Sequence, residues 1–208
     1  MSVLSEIFKH KIVAIVRGAK PGDVEKIAGA LYESGIKLME VTLNSENALE
    51  VIERLSNEMK GKMYIGAGTV LSVEDTEKAI KAGAQFIISP CLNTDVIAAT
   101  KRMGAVSIPG AFTPTEIVNA FNSGGEIIKV FPASGSISYI KEVRAPLSHI
   151  PLMPTGGISL ENIKEFQKAG AVAFGIGTSL VNTKKEITEE YLVQLITTAK
   201  QFVQAIAT

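Results

Sequence analysis

Short apolar or β-branched runs recur along this chain at a nearly even spacing. They read KIVAIVR, LMEVTLN, MYIGAGTV, FIISP, AVSIPGA, IIKVFPA, PLMPTGG and VAFGIGT, starting near residues 11, 38, 63, 86, 105, 127, 151 and 172. Successive starts lie about 19 to 27 residues apart, room for one strand and one helix per unit. The intervening segments are amphipathic. Residues 21 to 34 put Val24, Ile27, Ala28 and Leu31 on one helical face, and Pro21 with Asp23 supplies helix-opening chemistry. The same pattern returns from residues 72, 93, 113 and 159, opening on Ser, Thr or Asn and closing on Gly, and a last helix covers about 188 to 206. Strand then helix, eight times over, predicts a parallel sheet. Eight units close naturally into a (β/α)8 TIM barrel, whereas a doubly wound open sheet more often carries GxGxxG after its first strand, and none follows here. No linker or low-complexity tract interrupts the rhythm, so residues 1–208 are expected to form one barrel domain.

Alternation along the strands selects what faces the interior. In the second run Leu38, Glu40, Thr42 and Asn44 share one face, and Met39, Val41 and Leu43 take the other, toward the helices. In the sixth, Ile127, Lys129 and Phe131 oppose Ile128 and Val130. A carboxylate and an amine are therefore both directed inward. Arg17 closes the first strand, Thr69 the third and Thr155 the seventh, at the barrel end where active sites of this fold sit. A desolvated lysine has a depressed pKa, and its neutral amine can attack a ketone to form a Schiff base. The protonated imine is an electron sink that permits C–C cleavage beside it, with a carboxylate such as Glu40 moving protons. The plainer alternative is a structural ion pair between Lys129 and Glu40, with Arg17 as a further partner.

Composition narrows the field. Apolar residues are 46% and charged residues 20% of the 208, with 21 basic against 21 acidic side chains, so no electrostatic footprint for nucleic acid or a membrane surface is present. One cysteine, Cys91, excludes an internal disulfide and reads as a small buried hydrophobe; with two scattered histidines, His10 and His149, it makes no zinc pattern. No metal is expected. The first residues meet charges before any long apolar stretch and no run reaches membrane length, so a cytoplasmic location is expected.

Glycines add a second signal. PTGGIS (154–159) and GIGTSL (175–180) each end a strand and leave backbone N–H groups free for an anion, after strands seven and eight, where barrels commonly hold phosphate. GAGTV (66–70) is open between ligand approach and barrel packing.

Together, MEVTLN, IGAGTV, FIISP, IPGAFTPTE, IKVFPA, PTGGIS and GIGTSLV, in this order, resemble the bacterial 2-keto-3-deoxy-6-phosphogluconate (KDPG) aldolases, which often also cleave 4-hydroxy-2-oxoglutarate (KHG). The resemblance runs from about Lys11 to Val181. It implies a class I, metal-independent and cofactor-free aldolase of (β/α)8 fold, usually a homotrimer. It assigns Lys129 to the Schiff base and Glu40 to acid/base work. Arg17, Asn44, Thr69, Pro90 and Thr155 fall to the substrate, and Gly156, Gly157, Gly177, Thr178 and Ser179 to the phosphate. One departure stands out: many members carry arginine in VTLRT, and this chain has Asn44 in VTLNS, which cannot offer bidentate charge-assisted pairing. The loop FPASGSIS also carries less charge than a grip on a polar sugar acid suggests. The rival readings are another phosphate-binding barrel enzyme, such as a sugar-phosphate isomerase or a transferase, and a non-catalytic binding protein on the same scaffold. The first leaves an inward lysine without work; the second needs neither Lys129 nor Glu40.

Overall fold

The computed structural model describes residues 2–134 and 137–207. A first helix, α1 (Val3–His10), precedes an alternating series: β1 (Ile12–Val16), α2 (Pro21–Glu33), β2 (Leu38–Thr42), α3 (Ala48–Glu58), β3 (Tyr64–Gly68), α4 (Val73–Lys81), β4 (Phe86–Ile88), α5 (Thr94–Arg102), β5 (Val106–Ile108), β6 (Gly110–Ala111), α6 (Pro114–Asn122), β7 (Ile128–Val130), α7 (Ile137–Arg144), β8 (Leu152–Pro154), α8 (Ile163–Lys168), β9 (Phe174–Ile176) and α9 (Glu189–Ile206). All strand pairs are parallel, in a six-stranded sheet ordered β5-β4-β3-β2-β1-β9 and a three-stranded sheet ordered β6-β7-β8. A single parallel bridge, Thr155 to Gly175, joins the end of β8 to β9.

The fifth expected strand is the one that departs from the simple count. Pro109 splits it into β5 and β6, because proline has no N–H to give to a ladder. Its carbonyl still accepts from Lys129 N–H at 2.9 Å. Each sheet therefore takes one half of a single extended segment.

Two apolar clusters reflect the alternation. Met39, Val41, Ile65, Ile128 and Val130 pack with helix residues such as Val24, Ile52 and Ile117 in the larger one. The smaller gathers Val13, Leu38, Phe86, Ile108, Ile127 and Met153 from the opposite strand faces, with Ile7 of α1 inserted among them. Helix α1 was not foreseen. Val3, Leu4, Ile7 and Phe8 have helical spacing, Ser2 caps the first turn by accepting from Ser5 N–H at 3.2 Å, and the apolar stripe covers that cluster.

Caps account for most helix starts. Ser72 and Asn93 accept from first-turn N–H groups, and Thr113 with Glu116 forms a reciprocal capping box ahead of Pro114. The segment from 159 behaves differently: Ser159 donates its N–H to Asn162 Oδ1 at 2.8 Å, a turn intervenes, and α8 begins only at Ile163. Cys91, expected to be buried, is exposed, since it follows β4 in the loop beyond the strand end. Among the described residues no helix is long and apolar enough to cross a membrane.

Candidate active site

Strand alternation carries one carboxyl and one amine into the interior. Glu40 lies in β2, in register with Ile15 of β1 and Gly66 of β3; Lys129 lies in β7, opposite Gly110 and Met153. Glu40 is 1% and Lys129 3% exposed. Burial pushes the Glu40 carboxyl above the usual carboxylate range, opposed by the positive charges of Lys129 and Arg17. Burial also holds Lys129 below the usual lysine range; Glu40 opposes that shift and Arg17 adds to it. Neither carboxylate oxygen of Glu40 has a hydrogen-bond partner among the described residues. The structural ion pair offered as the plainer reading is therefore not made. A buried carboxyl without a partner is costly, and such exceptions call for a functional explanation. Lys129 Nζ lies 5.1 Å from the centre of the Phe131 ring, whose face favours a cation there.

The small residues of GAGTV seat interior side chains. A methyl group on Gly66 would come within 2.2 Å of the Phe86 ring, and one on Gly68 within 2.3 Å of Glu40 Oε1. Gly175 does the same for Thr155, whose Oγ1 would stand 2.3 Å from an added methyl. Thr69 follows in a left-handed conformation, φ 57°.

Over the ends of β1, β8 and β9 opens a cavity of about 730 Å³. Arg17, Thr155, Gly156, Gly157, Gly177, Thr178 and Ser179 line it together, and Phe131 joins them. Gly156 and Gly157 both have positive φ, 87° and 73°, which opens their turn as a left-handed side chain could not. Ser179 Oγ donates to the Ile158 carbonyl at 2.6 Å and ties the two glycine turns together. The cavity also uses Asn182, Thr183 and Lys184, which sequence reading did not single out. Their signal was position alone: they continue directly from the glycine turn after β9.

Asn44, Thr69 and Pro90 are not among the cavity's lining residues, and neither are Glu40 and Lys129; Phe131, two residues beyond Lys129, is. β2 ends at Thr42, Ser45 N–H closes a turn on the Thr42 carbonyl, and Asn44 is exposed on that turn rather than continuing the inward face. Ser45 Oγ accepts from Gly18 N–H at 2.8 Å, so the loop after β2 braces the loop that carries Arg17. Pro90 packs its backbone where a Gly110 side chain would be. Of the loop FPASGSIS, Gly135 and Ser136 lie outside the described residues. Among the described residues no group of three or more His, Cys, Asp or Glu is placed to hold a metal ion.

Residues 3–197 match the family model of KDPG and KHG aldolase. The chain belongs to this aldolase family. A 2-dehydro-3-deoxy-6-phosphogalactonate aldolase of Escherichia coli is 32% identical over 181 residues, covering 86% of this chain and 88% of that one. A 2-dehydro-3-deoxy-phosphogluconate aldolase of Treponema pallidum is 34% identical over 168 residues, 80% of each chain. Among solved structures, the KDPG aldolase of Legionella pneumophila, described with pyruvate captured as a covalent carbinolamine, superposes with a TM-score of 0.81 at 25% identity, covering 98% of this aldolase and 96% of that chain. The aldolase is a lyase, and of the readings weighed on sequence the Schiff-base one is favoured over the isomerase, transferase and binding-protein alternatives.

Proposed function

We propose that this aldolase cleaves KDPG to pyruvate and glyceraldehyde 3-phosphate, or KHG to pyruvate and glyoxylate, through a Schiff base on Lys129. The observation that carries the assignment is the burial of two titratable groups, in β2 and β7, that feel each other's charge: an amine held below its usual range and a carboxyl held above it with both oxygens unpartnered.

The steps follow from that pair. Neutral Lys129 Nζ attacks the ketone carbon, giving a carbinolamine; loss of water, with a proton supplied by Glu40, leaves the iminium. A base then removes the C4 hydroxyl proton, the C3–C4 bond breaks, its electron pair moves into the iminium to make an enamine, and the aldehyde departs. The enamine takes a proton at C3, and water hydrolyses the resulting imine to release pyruvate and the free amine. The iminium supplies the electron sink, so the chemistry draws on no metal or cofactor. Arg17 is the cation best placed for the pyruvate carboxylate, and Gly156, Gly157, Gly177, Thr178 and Ser179 form the seat for a phosphate. Thr155 borders both, and Thr69, Pro90 and Asn44 are left to secondary contacts with the substrate.

The wider reading is one barrel domain in which β5 and β6 act as one interrupted strand and the Thr155–Gly175 bridge closes the ring. It is supported by the continuity of chain across Pro109 and by that bridge. A homotrimer in the cytoplasm completes the proposal, by resemblance to the family. The deciding experiment is pyruvate release from KDPG, its galactonate epimer and KHG, compared side by side with borohydride trapping of pyruvate. No release from any of them, and no adduct, would remove the aldolase reading.

A further inference from the structure

The cavity carries a charge that the roles above leave unused. Among the described residues its charged lining groups are Arg17 and Lys184, both cations, and no carboxylate faces them from the wall. Arg17 acts on the reacting pair, since its charge contributes to the shifts of both Glu40 and Lys129. Lys184 contributes to neither, and belongs to the side of the cavity formed by the turn after β9.

The segment holding Lys184 is fixed at the rim. Thr183 Oγ1 donates to the Arg17 carbonyl at 2.6 Å, and Asn182 N–H donates to the Tyr191 hydroxyl at 2.8 Å. Lys184 N–H donates to Asn182 Oδ1 at 3.2 Å. The backbone is thus tied to β1's loop and to α9, while the side chain is exposed and its ammonium makes no ion pair among the described residues. A cation on a fixed backbone, with no carboxylate partner, beside two glycine turns that offer N–H groups, suits a dianion: a phosphate carries about −1.5 to −2 charges at neutral pH.

We propose that Lys184 is a specificity-determining residue, holding the phosphate end of a phosphorylated 2-keto acid at the cavity rim. This rests on the aldolase reading. A lysine is a compact point charge on a flexible stem, so it tightens on an anion wherever the phosphate settles and contributes to capture rather than to bond cleavage. The cost of its loss therefore falls on KM and leaves kcat.

The test uses the full chain and two substrates that differ by the phosphate alone, KDPG and 2-keto-3-deoxygluconate, followed by pyruvate release. Lys184→Ala should raise KM for KDPG by about threefold to tenfold, and Lys184→Glu by more, with kcat held. Lys184→Arg should restore KM. Neither substitution should alter kcat/KM on the unphosphorylated sugar acid, and the gap between substrates should narrow as salt rises, because an exposed charge is screened. The inhibition constant of inorganic phosphate should weaken in Lys184→Ala by the same factor. Equal KM changes on both substrates, or none on KDPG with phosphate inhibition unaltered, would make Lys184 a solvated surface residue. A wild-type chain inactive on every 2-keto acid would instead remove the aldolase reading itself.

Discussion

Gly68→Ala tests whether Glu40 works through its position. The methyl would lie 2.3 Å from Glu40 Oε1, 2.7 Å from its Cδ and 3.2 Å from Thr42 Cγ2. Gly68 is an ordinary strand residue with no positive φ, so the substitution adds no backbone strain of its own. Relief must come from the carboxyl, which has to retreat by roughly 1 Å to restore van der Waals contact. Nothing tethers it by hydrogen bonds, and 1% exposure gives it no solvent to turn into. Overpacking of this kind costs about 1–3 kcal/mol of stability. A shift of about 1 Å in a catalytic group costs on the order of 10²-fold in turnover.

Three variants read together separate the effects, with pyruvate release normalised to the folded fraction. Gly68→Ala should approach Glu40→Gln, which keeps the shape and removes the proton carrier, at about 10²- to 10⁴-fold below wild type. Gly66→Ala is the control. Gly66 stands in register with Glu40, but its methyl meets the Phe86 ring first, at 2.2 Å, so the overpacking falls on the smaller apolar cluster and should destabilise while lowering kcat per folded molecule less than Gly68→Ala does. Full turnover in Gly68→Ala, with Glu40→Gln impaired, would show that the carboxyl tolerates displacement and refute the positional reasoning.

The remaining expectations concern the amine and the anion seat. Borohydride with pyruvate should fix one adduct per chain within IIKVFPA; Lys129→Ala should lose adduct and turnover, and Lys129→Arg should recover neither, whereas an adduct on another lysine would reassign the nucleophile. Because the folded pKa of Lys129 is lowered, adduct formation should rise with pH at values below the usual lysine range, and the unfolded chain binds more protons across that window. Unfolding free energy should accordingly climb with pH there and flatten in Lys129→Met; an unchanged slope would mean the amine is ionised like any surface lysine. Thr178→Asp puts a like charge on the cavity wall at an exposed position free of positive φ, so kcat/KM on KDPG should fall at least tenfold more than on 2-keto-3-deoxygluconate. Equal losses would reduce the glycine turns to connections.

Much of the framework could be read from periodicity. The two-residue alternation of β2 and β7 directs Glu40 and Lys129 inward, and both are buried there, because a strand's geometry leaves only two faces to choose between. The same rule failed at Asn44, since alternation holds only while the strand lasts and β2 ends at Thr42 in a turn that sequence alone does not mark. Pro109 was visible, but its effect on a ladder depends on which neighbour needed its N–H. Helix α1 was legible in the spacing of Val3, Ile7 and Phe8, though a role in covering the smaller apolar cluster appears only once the strands surround it. Lys184 could not be found by pattern, because it reaches the cavity through a hydrogen bond between residues 166 positions apart, Thr183 and Arg17.

The absence of an ion pair between Glu40 and Lys129 has a mechanistic consequence under the aldolase reading. Burial dominates both shifts, raising the carboxyl and lowering the amine, so the charged form of each group is disfavoured in the free site. The uncharged forms are those that carbinolamine formation and dehydration require. Once the iminium exists, Lys129 carries a permanent positive charge, and its Coulombic pull on Glu40 opposes the desolvation that raises the carboxyl. Glu40 then ionises more readily, at the stage where the C4 hydroxyl proton must be accepted. Under that reading one residue would serve first as acid and then as base because the covalent step alters its electrostatic surroundings. The pH series on adduct formation, repeated with Glu40→Gln, reads this directly. If the acid assists dehydration, loss of the carboxyl slows adduct formation as well as cleavage; a variant that traps pyruvate at the wild-type rate would confine Glu40 to the later proton transfer.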